Sequence, residues 1–93
     1  MERKFTQREI IMQQEAFKQS VEKCNAAKKD LECAQAVSMS LQNAYKNGCL
    51  DEEEFFAVEE EEVRLQSEYN NLKKKMKYEA AKLRLMLENK EIN

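Results

Sequence analysis

The chain has 93 residues, no proline, one glycine and a net charge of −2, with 37% of its residues charged and 42% apolar. That size allows one domain at most and buries a modest share of its surface when folded alone, so a partner is expected from the outset. The nearly balanced charge gives no global pull toward nucleic acid or anionic lipid, and without histidine or a Gly-rich phosphate loop no enzyme activity is expected.

The abundant residues, Glu, Lys, Leu, Ala, Gln and Met, are strong helix formers, which makes the expected class all-α. Disorder competes for so charged a chain, but its apolar residues recur at regular intervals, which favours packed helices. Cys24, Cys33 and Cys49 are odd in number, lack Cys-x-x-Cys spacing and have no histidine beside them. Neither a disulfide framework nor a zinc site follows, and reduced thiols in a cytoplasmic protein without metal or cofactor are the expectation. The start of the chain lacks the apolar core of a signal peptide, and no uncharged apolar run is long enough to span a membrane, so no membrane contact is expected.

In chain order, Phe5-Thr6-Gln7-Arg8-Glu9-Ile10 is a helix-start signal: Thr6 and Glu9 form a capping box, and Phe5 and Ile10 can staple across it. Helix one is expected over about 6–46. Ile10, Phe17, Cys24, Leu31, Ser38 and Tyr45 recur at seven-residue spacing, with Val21, Ala27, Ala34 and Leu41 at the alternate positions of the seam. Gly48 can adopt the left-handed conformation that closes a helix, Lys46 suits the negative helix end, and the turn falls at 47–50. A second start signal follows at once, with Asp51 as cap, Glu54 reciprocal to it, and Leu50 and Phe55 as the staple pair.

Helix two is expected over about 51–91, with Phe55, Glu62, Tyr69, Met76 and Leu83 in the seam and Val58, Leu65, Leu72, Ala80 and Leu87 between them. That pattern slips by one residue between Leu72 and Ala80. Arms of nearly equal length, each about 60 Å at about 1.5 Å per residue, suit an antiparallel hairpin. In such a pair facing residue numbers sum to a constant, and Tyr45 with Phe55, Leu31 with Tyr69, Cys24 with Met76 and Phe17 with Leu83 all agree. Leu41 with Val58 and Ala34 with Leu65 fall one short, and Val21 with Ala80 one over. The whole reads as an antiparallel two-helix coiled-coil hairpin in a single domain over 1–93, dimerised into a four-helix bundle or docked on a partner.

Three features point outward from that hairpin. Residues 33–45 carry no charge yet lie beside the acidic blocks at 51–54 and 59–62; a solvated, helix-capping face is the plainest account of such acids. Phe56 and Val63, among Glu59 and Glu60, fall on the side of helix two away from the seam, with Tyr78 and Leu85 on roughly the same side. Ile11 and Met12 near the open end, and Val37 and Met39 near the turn, also fall outside it. Last, the lysine block at 73–77, continued by Lys82 and Arg84, complements the acids: in an antiparallel pair of helices two, Phe56 approaches Tyr78 while Glu59 and Glu60 approach Lys74 and Lys75.

The expected work is therefore protein–protein interaction, as a small coiled-coil adaptor, assembly factor or chaperone-like subunit, with a second copy or a larger helical protein as partner. Phe56, Val63 and their glutamates would carry it near the turn, and Ile11, Met12, Leu85 and Met86 at the open end. The alternative is a nucleic-acid-linked role: RNA or DNA bound through 73–77, or phosphate imitated by the acids of 51–62. Nucleic acid is the lesser expectation, since the lysines share their helix with a repelling acidic block.

Overall fold

The computed structural model describes residues 3–91; positions 1, 2, 92 and 93 of the expected domain lie outside the described residues. Two helices, α1 (Gln7–Lys46, 40 residues) and α2 (Glu52–Glu88, 37 residues), pack against each other as an all-α hairpin. The chain divides into two compact units, Asn25–Asn71 around the turn, and Met1–Cys24 with Leu72–Asn93 at the open end.

In the turn unit, α1 closes with a Schellman motif. The Cys49 N–H donates to the Ala44 carbonyl at 2.8 Å and the Gly48 N–H to that of Tyr45 at 3.0 Å, using carbonyls that the helix leaves unpaired. Gly48 has φ of 75°, and no atom lies within 4 Å of the place where a Cβ would stand, so only the backbone demands glycine there. Gly48→Ala is accordingly expected to cost about 1–2 kcal/mol, the left-handed penalty for a side chain, and Gly48→Asn less, both measurable by urea unfolding.

Two residues beyond the motif α2 starts under a cap: the Glu54 N–H donates to Asp51 Oδ1 at 2.9 Å. No bond returns from the Glu54 carboxylate among the described residues, so the expected box is half formed. Tyr45 and Phe55 stack across the turn, ring centroids 4.6 Å apart at 15°, which is the facing pair expected from the seam. Behind them Leu31 and Ser38 are buried, and Ala27, Ala34, Leu41, Val58, Leu65 and Tyr69 are half-buried.

In the open-end unit, the Thr6–Glu9 box is complete: the Glu9 N–H donates to Thr6 Oγ1 at 3.2 Å and the Thr6 N–H to Glu9 Oε1 at 3.3 Å. Phe5 is held by the far end of α2, its N–H donating to the Asn89 carbonyl and its carbonyl accepting from the Glu91 N–H, both at 2.9 Å. Lys90 bridges to Phe5 in this pairing, and α2 ends at Glu88, short of the expected 91.

The seam of this unit departs from expectation. Gln13 and Ser20 are buried on α1, at 6% exposure each, beside Val21, which was expected as the inner residue and is half-buried. On α2 the seven-residue spacing runs through Leu72, Glu79 and Met86 without a slip: Met86 is 4% exposed and Leu87 49%. Met86 is therefore core and not part of the outward set. A polar contact across the helices accompanies this register. Gln13 Nε2 donates to the Glu79 carboxylate at 2.5 Å and to the Glu79 carbonyl at 3.1 Å, which gives a charged side chain a seat beside the seam. Glu79 is met by Gln13, about two turns nearer the N-terminus than the Val21 expected beside Ala80.

No described side chain is wholly shut off from solvent; Ile10, Cys24, Leu31 and Met86, at 4–5%, are the apolar residues with least exposure. Two helices alone form a seam of side chains and no enclosed core, and the opposite side of each helix stays in water.

Candidate interaction face

Steps of three and four residues keep a helical row on one side, and along α2 Phe56, Glu60, Val63, Ser67 and Asn70 form such a row in the turn unit, and Lys74, Tyr78, Ala81 and Leu85 in the open-end unit. Every member is exposed. Phe56 and Val63, 49% and 69% exposed, line a shallow open groove of about 350 Å³ with Glu59 and Glu60. Phe56 rests edgewise on Phe55, ring centroids 5.9 Å apart and tilted by 55°, so the inward neighbour fixes the outward ring.

Tyr78 and Leu85, in the open-end unit, are 63% and 54% exposed, and Leu85 lines one groove with Ala80, Ala81, Arg84 and Glu88 and another with Arg3, Phe5 and Asn89. On α1, Ile11 and Met12 are 55% and 65% exposed, and Met12 borders a groove with Lys82 and Met86. Leu87 joins this outward set, a residue that the apolar spacing had assigned to the seam. Counting by sevens from Leu65 through Leu72 would have found it, had the count been carried through Glu79.

Electrostatics sharpen the picture. The turn unit holds four basic and eleven acidic residues, net −7, and the open-end unit twelve and seven, net +5. Within the acidic block, Arg64 forms ion pairs with Glu61 and Glu68. Its hydrogen bond, reinforced by its charge, holds the Glu61 carboxyl below the usual range, and Arg64 is raised in turn, first by that hydrogen bond and then by the charges of Glu61 and Glu68. The pair favours folding above the unfolded carboxylate pKa, and its contribution is lost as pH falls through the lowered folded value. Arg64→Met should therefore move the Glu61 titration midpoint, followed by NMR, up toward that of an ordinary glutamate.

With Arg64 so engaged, Glu59, Glu60 and Glu62 have no ion pair among the described residues, and neither do Lys74 and Lys75. Cys33 and Cys49 are exposed free thiols, and Cys24 is buried. No cluster of three or more metal-ligating side chains occurs among the described residues, and neither helix is long and apolar enough to cross a membrane.

No family model, curated protein or solved structure matches the chain. An apolar groove rimmed by unpaired carboxylates suits an amphipathic helix with a basic border, and the shallow grooves on a two-helix surface suit a helix better than a small molecule.

Proposed function

We propose that the chain is a non-enzymatic protein–protein interaction module, a small adaptor, assembly factor or chaperone-like subunit that lends the outer face of α2 to the helices of a second copy or of a larger helical protein. The observation that carries this reading is the exposed Phe56–Val63 groove with Glu59 and Glu60 at its rim. A side chain as large as Phe56 held half in water beside a second apolar residue one heptad away is the form of a binding anchor, since aromatic anchors dominate interface energies. The absence of a wholly buried side chain among the described residues supports it further, because such a hairpin gains most by covering its outer side. Free Cys33 and Cys49 at the surface support a reducing, cytoplasmic setting.

The test compares wild-type and Phe56→Glu chains, both verified as helical by circular dichroism, for stoichiometric partners from the native source, self-association included. The expected result is a helical partner held by wild type and lost from the variant. Identical partners for both chains would overturn the reading.

A further inference from the structure

We infer that the occupant of the α2 face is a second copy of this chain, the two α2 helices lying antiparallel about a two-fold axis at Ser67. This names the partner for the interaction reading above and rests on it. A two-fold pairing sets every residue against a fixed counterpart, so one contact determines all the others. Placing Phe56 opposite Tyr78 of the other copy brings Glu60 to Lys74 along the centre of the face, and Ser67 to its own symmetry mate. On the flanks the same register brings Glu59 to Lys75 and Glu52 to Lys82. These glutamates and lysines are without ion pairs among the described residues, and the pairing supplies one to each. At no position along α2 does it set two like charges opposite each other.

The centre of the face supports the same axis. Ser67 is exposed and small, which lets two helices approach to about 8 Å, the lower end of ordinary packing distances. Sliding the partner by one heptad would set Phe56 against Leu85 and Val63 against Tyr78, a better apolar match. It would also bring Arg64 to Lys77 and Glu53 to Glu88, and move the axis between Asn70 and Asn71. Like charges facing across a helix pair are what nature uses to reject a register, so the Ser67 axis is favoured.

Two experiments decide it. In a Cys33→Ser, Cys49→Ser background, with Cys24 buried, Ser67→Cys is expected to form a covalent dimer on mild oxidation, because residues on the axis come within disulfide reach. Asn70→Cys should remain mostly monomeric; preferential cross-linking there would overturn the Ser67 register. Independently, Lys74→Glu should weaken association by about tenfold or more at low salt, and the swap Glu60→Lys with Lys74→Glu should restore it. A double variant no tighter than the single one overturns the proposal. So does a wild-type chain that stays monomeric by light scattering at about 50 μM. If the Phe56→Glu chain still loses a different helical partner, the interaction reading survives and only the second copy is rejected.

Discussion

Phe56→Glu is expected to abolish association while leaving the hairpin folded. The ring is 49% exposed in the isolated chain and stands beside Phe55 without joining the seam, so its removal should cost the fold about 0.5 kcal/mol, the usual scale for surface substitutions. A glutamate at this position lies near the α2 N-terminus, where negative charge is tolerated by the helix dipole. In the complex the balance reverses. A desolvated aromatic anchor is worth about 2 kcal/mol or more, about 30-fold in Kd, and a third carboxylate beside Glu59 and Glu60 would be forced against apolar surface. Sedimentation equilibrium should show the molecular mass of the variant falling to that of one chain with the helical circular dichroism unchanged. Phe56→Leu, which keeps an apolar side chain in the groove, should retain most of the association. Loss of helicity in step with association would mean that Phe56 serves the fold instead.

How much of the hairpin can be read from the chain depends on how local its causes are. The Thr6–Glu9 box, the Gly48 closure and the Asp51 cap involve residues at most five apart, and the types at those positions determine the geometry almost alone. The Tyr45–Phe55 pair follows from them, since a tight turn leaves its neighbours little freedom. Farther from the turn, the outcome rests on contacts between residues distant in sequence. Glu79 is polar, and an apolar count passes over it to Ala80 and then Leu87; nothing near it in the chain reveals that Gln13, 66 positions away, will donate to it. Phe5 likewise closes onto Asn89 and Glu91 through backbone bonds that carry no side-chain signature. The outward face suffers less, because exposure on a helix needs only phase: Phe56, Val63, Tyr78 and Leu85 are where the spacing puts them. Met86 and Leu87 exchange roles because their phase depends on Glu79.

That dependence gives the open-end unit two possible seams, and Gln13 should decide between them. With Glu79 and Met86 inward, the hairpin must hold a half-buried carboxylate; with Ala80 and Leu87 inward it would hold apolar residues alone. The first arrangement prevails through the two bonds from the Gln13 amide, one to the carboxylate and one to the carbonyl of the same residue. Gln13→Leu removes both donors and leaves the carboxylate without its partner, a loss of about 1–3 kcal/mol. That is enough to turn α2 locally so that Glu79 reaches water, exposing Met86 and covering Leu87. Methionine oxidation reads this directly: in wild type Met86 should react far more slowly than Met12 and Met39, which are 65% and 69% exposed, and in Gln13→Leu it should approach their rate. The double change Gln13→Leu with Glu79→Leu removes the unpaired charge and makes the inner position apolar again. Met86 should return to protection, and the melting temperature should equal or exceed that of wild type, since replacing a buried polar pair by apolar residues is commonly neutral or stabilising. If Met86 stays protected in the single variant, packing alone holds the seam and the Gln13–Glu79 contact follows from the register without setting it.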